Sequence, residues 1–138
     1  MGLFNIFQIS GSALNAQSLR LNTVASNMAN ADNVASSPDE VYRARHTVFS
    51  TLLQDAGNGQ QAAGVSVEGI VESEAPPLVR YEPNHPLADE QGNVYSPNIN
   101  MVEEMADMIS ASRSYQNNIE VFNTSKQMLL RTLNMGSN

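Results

Sequence analysis

The sequence predicts a mainly α protein, in which long N- and C-terminal helices pair as a coiled-coil-like stalk around a small β/loop insert. Three observations predict it. Apolar residues recur at heptad spacing toward both ends of the 138-residue chain. Charge is segregated: the net −7 is carried almost wholly by residues 38–97, which sum to −6, while residues 1–37 sum to zero and 98–138 to −1. Aromatic residues make up 6% and Trp is absent, so few side chains are large enough to fill a thick core. An elongated chain that buries surface against partners follows.

Residues 3–31 contain no Pro and one Gly, Gly11, and read as one helix. Phe7, Leu14, Leu21 and Met28 stand seven apart. Leu3, Val24 and Ala31 supply the second seam position, which Ser10 and Gln17 interrupt. Asp32-Asn33 and Ser36-Ser37-Pro38 end the helix in a loop. A strand is expected over 41–53. A Gly/Gln/Ala/Asn-rich stretch over 56–64 reads as a mobile loop, and 65–71 as a strand with Gly69 at a bulge. Short strands are expected at 78–82 and 94–95, separated by the irregular Pro83, His85, Pro86 segment and the Gly92-Asn93 turn. Residues 100–134 read as the second helix. Asn100 is placed to cap it, Glu103 sits three residues on, and Gly136 closes it. Its seam runs Met101, Met105, Met108, Ser112, Tyr115, Ile119, Phe122, Lys126, Leu129 and Leu133, in steps alternating between four and three. The expected division is therefore 1–33 plus 98–138 as a terminal helical polymerisation domain, with 34–97 as an acidic β/loop insert.

Each helix carries one apolar stripe, and two stripes at opposite ends of a chain pair most simply with each other, leaving the insert at one end of the stalk. Ile6, Ile9, Leu19, Val102, Ile109, Val121 and Leu130 then remain on the flanks. Exposed stripes of that extent mark partner surfaces. Contact of one patch with a different patch on the next copy gives open helical assemblies when the rotation does not close a ring.

Other function classes find little support. No basic run offers a footprint for nucleic acid or anionic lipid. No stretch of about 18 apolar residues suggests a membrane span. There is no Cys. The N-terminal residues lack the positive segment and cleavage site of a secretory signal, and Ile6 stands where a myristoylation start needs Ser or Thr. His46 and His85 lie in different segments, so no metal site or cofactor is expected. The acid pairs Asp39-Glu40, Asp89-Glu90 and Glu103-Glu104 are sequence neighbours, which read as solvated surface rather than as a hydrolase pair. No phosphate loop or nucleophile elbow is present, and no enzymatic activity is expected.

The run from Ser12 to Asp32, centred on Val24, Ala25, Ser26, Asn27, Met28, Ala29 and Asn30, resembles the N-terminal signature of the flagellar axial family of rod, hook and hook-associated proteins. The run from Val102 to Glu120 is similar to the same family's C-terminal region. Tyr42-Arg-Ala-Arg45, Tyr81-Glu-Pro83 and His85-Pro-Leu-Ala-Asp89, with the short length, resemble its proximal-rod members. The likeness covers nearly the whole chain. The segment Ser36 to Glu40 departs from it in being poor in glycine. The resemblance implies a structural subunit of the basal-body rod, the periplasmic shaft that passes motor torque to the hook. It implies export through the flagellar type III apparatus without a cleaved signal peptide. The implied partners are other copies of the chain and other rod proteins, with no nucleic acid and no lipid insertion.

The residues alone leave an alternative: a coiled-coil adaptor or secretion-chaperone-like module forming a small closed oligomer. Asn27, Asn30 and Asn33, three apart, read either as an interchain hydrogen-bond ladder or as helix-end capping chemistry. The Met101, Met105, Met108 row reads as an adaptable seam. Ser112 and Lys126 are the polar seam positions, where they set register or, for Lys126, extend to solvent.

Overall fold

The computed structural model describes residues 3–55 and 61–136. Helix α1 spans Leu3–Asn30, followed by strands β1 (Arg45–Asp55), β2 (Gln61–Glu72), β3 (Leu78–Tyr81) and β4 (Asn93–Ser96), and helix α2 (Met101–Gly136). The chain is thus mainly helical, with a β insert made of two separate two-stranded antiparallel sheets, β1-β2 and β3-β4.

Both helices form where an apolar period runs on without Pro. Asn100 starts α2: its Oδ1 accepts from the Val102 amide at 3.1 Å and its carbonyl from the Glu104 amide at 3.0 Å. Glu103 and Glu104 lie in that first turn, where the helix dipole favours carboxylates. The helices lie side by side and antiparallel. Phe7 meets Phe122 edge to face with centroids 4.9 Å apart, and Arg20 reaches Asp107 at 2.7 Å. With Phe7 opposite Phe122, roughly the last ten residues of α2 run past Leu3.

The facing residues are small or polar. Ser10, Ala16, Thr23, Val24 and Asn27 are buried on α1, and Glu104, Ala111 and Ser125 on α2. On α2 the contact row runs Met101, Glu104, Met108, Ala111, Tyr115, Asn118, Phe122, Ser125 and Leu129, all buried or half-buried. Every second position is therefore one residue earlier than hydrophobicity alone selects. Small side chains let two helices approach, and the bulkier neighbours Met105 and Ile119 lie to the side.

The insert does not stand at the end of the helix pair. The β1-β2 hairpin folds back along α1: the Val65 amide donates to Ser12 Oγ at 3.2 Å. The pairing shifts between Val48/Phe49, where Val48 faces Gly69 and Phe49 faces Val67. Glu68 is left unpaired, so the bulge sits beside Gly69 as the sequence suggests. Residues 41–44 are not strand, since Asn27 and a single bond from the Ser73 amide to the Ala44 carbonyl at 2.7 Å hold that end instead. Of the expected 56–64 loop, 56–60 lie outside the described residues and 61–64 belong to β2.

The smaller sheet is joined to the segment that follows α1 by a bridge between Ala35 and Tyr95. Val94, beside Tyr95 in β4, is fully buried. Gly92 takes φ +80°, the left-handed turn that returns the chain into β4.

Candidate assembly interface

Asn27 is the junction of three elements. It sits near the end of α1 and is completely buried. Its Nδ2 donates to the Arg45 carbonyl at 2.8 Å and to Glu104 Oε1 at 3.1 Å. Its Oδ1 accepts from the Arg45 amide at 2.9 Å and from the Tyr42 hydroxyl at 3.0 Å. The side-chain amide thus pairs with Arg45 as a neighbouring strand would, exchanging one bond in each direction. Because the Tyr42 hydroxyl gives its proton to Asn27, Ser26 Oγ, 3.1 Å away, donates to Tyr42. The Arg45 guanidinium lies 5.6 Å from the Tyr42 ring centroid. One side chain therefore joins α1 to the start of β1 and to α2.

The other two asparagines act locally. Asn30 Nδ2 donates to the Ser26 carbonyl at 2.8 Å, and Asn33 Nδ2 to Asn30 Oδ1 at 2.8 Å. Within one chain the three do not form a ladder. Asn27 is the member that sequence reasoning undervalued. Its signal was an amide placed three residues inside a helix end, where capping does not need it.

The seam positions named from the sequence divide into two groups. Val24 is buried; Phe7, Leu14, Leu21, Met28, Met101, Met108, Tyr115, Phe122 and Leu129 are half-buried. Met105, Ile119 and Leu133 lie on the outer surface, at 50%, 37% and 61% exposure. Ser112 is half-buried and Lys126 exposed. Within the signature, Ala25 points outward and Ser26 and Asn30 are half-buried. The α2 flank named from the pattern, Val102, Ile109, Val121 and Leu130, is exposed throughout, whereas Ile6, Ile9 and Leu19 are half-buried. Met128 and Met135 are exposed as well.

Total exposure gives the scale. The chain presents 9430 Å² to solvent, against about 7,000 Å² for a compact monomer of its mass. The excess, on the order of 2,000 Å², is that of an elongated rather than a compact chain.

Two carboxyl groups are shifted in opposite senses. The Asn93 amide, chief among several donors, holds the Asp89 carboxyl below its ordinary value, opposed by desolvation and helped by the Tyr95 hydroxyl and the Gln91 amide. Asp89 Oδ1 accepts from the Asn93 amide at 2.8 Å and the Gln91 amide at 2.9 Å, and Oδ2 from Tyr95 at 3.1 Å, fixing the β3-β4 turn. Glu104 is raised, chiefly by burial, against the pull of Asn27 and His46. Among the described residues no group of three His, Cys, Asp or Glu could hold a metal ion, and no helix is long and apolar enough to cross a membrane. His85 accepts from the Leu87 amide at 3.1 Å in its own loop.

Comparison with known proteins places similarity along the whole chain. Residues 7–35 match the family described as flagella basal body rod protein. Residues 90–135 match the C-terminal family of the flagellar basal body rod FlgEFG proteins. The chain is 54% identical over 136 residues to the flagellar basal-body rod protein FlgC of Salmonella typhimurium, covering 99% of each. It is 52% identical to that of Escherichia coli O157:H7, again covering 99% of each. The FlgC of Borreliella burgdorferi is 35% identical, with 96% of this chain and 97% of that protein covered.

Proposed function

The chain belongs to the FlgC family of flagellar basal-body rod proteins, and from that premise we propose that it polymerises through its two terminal helices. It is a structural subunit of the basal-body rod and not an enzyme. Residues 1–33 and 98–138 are the polymerisation domain, and 34–97 the acidic insert. The helices pair in a coiled-coil-like manner. The rows through Phe7, Leu14, Leu21, Val24 and Met28 and through Met101, Met105, Met108, Tyr115, Ile119, Phe122, Leu129 and Leu133 carry the contacts within and between subunits. The chain leaves the cell through the flagellar type III apparatus without a cleaved signal peptide. It joins copies of itself and other rod proteins in the periplasmic shaft that passes torque from motor to hook. Neither nucleic acid nor lipid insertion has a part in this.

The observation that supports this best is the outer face of α2. Val102 is 74% exposed and Met135 76%, and Met105, Ile109, Ile119, Val121, Met128, Leu130 and Leu133 share that surface. A helix this apolar on its outside is expected to be covered. An assembly of heterologous contacts whose rotation does not close covers it in all but the terminal copies. The test is Ile119→Asp and Leu21→Asp against Asn84→Asp on an exposed loop. The helix variants are expected to be exported but to leave cells without rods and non-motile, while the loop variant swims. Equal motility of all three contradicts polymerisation through the helices.

A further inference from the structure

Strand β3 is bare on both faces. Leu78, Val79, Arg80 and Tyr81 are all exposed, and successive side chains of a strand point to opposite faces, so neither face is covered. β4 pairs with one edge of β3 and, among the described residues, nothing pairs with the other. Of the helices and strands, β4 alone packs against it. Folded proteins cover a free apolar edge of this kind with a helix or a loop. The surroundings are acidic. Residues 73–97 hold Glu74, Glu82, Asp89 and Glu90 against Arg80, a net −3. Arg80 is engaged by Glu82 at 2.8 Å, whereas Glu74 and Glu90 are exposed and form no ion pair among the described residues. The adjoining loop adds Asp39 and Glu40 against Arg43.

The helix end with the complementary character lies at the far end of the same chain. α2 starts at Met101, just after β4, and its 36 residues carry its end about 50 Å away. The last turns run past Leu3 and have no helix beside them. There Met128, Arg131 and Met135 stand three and four apart and so share one face. All three are exposed, and Met135 is the most exposed large apolar residue of the chain. Arg131 forms no ion pair among the described residues, and α2 carries no acid after Glu120. Being one continuous helix, α2 cannot return to its own β3. We propose that the free end of α2 lies along the β3 edge of a second copy, Met128 and Met135 covering Leu78, Val79 and Tyr81 while Arg131 meets Glu74 and Glu90. The inference rests on the polymerisation proposed above and names one of its contacts. Thioether side chains adapt readily to a surface of different shape. Donor and acceptor are different patches at opposite ends of one chain, so the contact is heterologous. A few helical turns present little area, so this contact adds to a lattice and does not hold a dimer by itself.

The test reverses the charges in full-length chains. Subunit content of purified basal bodies and melting of the exported monomer are both measured. Arg131→Glu is expected to lower incorporation at least ten-fold and to leave the melting temperature unchanged, since the side chain is free in the monomer. Adding Glu74→Lys and Glu90→Lys to the same chain should restore incorporation to at least half of wild type. That rescue identifies the partner as another copy, because both surfaces are altered in one chain. Normal incorporation of Arg131→Glu overturns the proposal, as does a loss that the two lysines fail to rescue, which assigns α2 a different partner. A lowered melting temperature overturns it by giving Arg131 a role inside the chain. A second measurement uses the absence of Cys. Val79→Cys with Met135→Cys, treated with a short bismaleimide, should give cross-linked multimers in basal bodies, and neither single variant should; an equal yield from either single variant, or none from the pair, overturns the contact. If Arg131→Glu assembles normally while Ile119→Asp does not, the edge contact fails and polymerisation through the helices stands; if both assemble normally, that broader proposal fails.

Discussion

Truncating Asn27 to Ala tests the three-way junction. The side chain is wholly buried and makes four hydrogen bonds, two to the Arg45 main chain and one each to Tyr42 and Glu104. After truncation Tyr42 keeps its contact with Ser26. Glu104 then has neither oxygen satisfied, and the Arg45 amide and carbonyl lose their strand-like partner. Counting two to three groups at about 1–3 kcal/mol each gives a loss of roughly 2–9 kcal/mol. Asn30→Ala loses one bond to the Ser26 carbonyl and should cost only about 0.5–1.5 kcal/mol. Asn27→Asp keeps the shape but replaces the donor that faces Glu104 and the Arg45 carbonyl, so it should cost at least as much as Ala at neutral pH and recover on acidification. The assay is urea unfolding of the monomer followed by circular dichroism. A loss under about 1 kcal/mol for Asn27→Ala, or equal losses at Asn27 and Asn30, refutes the junction.

Other outcomes follow from particular contacts. Gly92→Ala forces a left-handed φ on a residue whose Cβ would lie 3.0 Å from Tyr81 Cε2 and 3.1 Å from Pro83 Cβ; a loss of about 1–2 kcal/mol or more is expected in the same unfolding assay, and a silent change contradicts the turn geometry. Glu104 is raised from 4.5, so its contribution to the fold is full below that value and is lost as pH rises through the higher folded value; acidification toward 4.5 should favour wild type relative to Glu104→Gln. Asp89 is lowered from 3.8, so its contribution is present above that value and disappears as pH falls through the lower folded one; Asp89→Ala should flatten this acid limb in a pH series of melting curves. Replacing His46 and His85 together by Gln should leave swarming near normal, and lost motility with normal export would reveal a site at one of them.

The helices were legible because each is a long apolar period with no Pro, and α2 begins at the cap that Asn100 announces. The strands were legible from alternation, as was the Gly69 bulge. The path of the hairpin was not. Its return along α1 depends on Ser12 meeting Val65, and nothing in either local pattern links residues so far apart. The contact row of α2 was legible at Met101, Met108, Tyr115, Phe122 and Leu129. Between them, a choice by hydrophobicity lands on Met105, Ser112, Ile119 and Lys126, whereas the chain packs Glu104, Ala111, Asn118 and Ser125 against α1. Close approach of helices rewards small size, and the hydrogen bond that Glu104 accepts from Asn27 offsets part of the cost of burying it. Lys126, unexplained as a seam residue, lies outside the intramolecular contact altogether.

The most direct measurement of the central claim is methionine oxidation by dilute peroxide, read by mass spectrometry, in the free monomer and in purified basal bodies. Met105, Met128 and Met135 are 50%, 55% and 76% exposed in the single chain, and an exposed thioether oxidises readily. Met28, Met101 and Met108 are half-buried and should react more slowly than those three in the monomer. If the outer face of α2 is an assembly surface, the three exposed methionines should react fast in the monomer and be slowed at least ten-fold in the rod. Equal oxidation rates in monomer and rod would contradict polymerisation through the terminal helices.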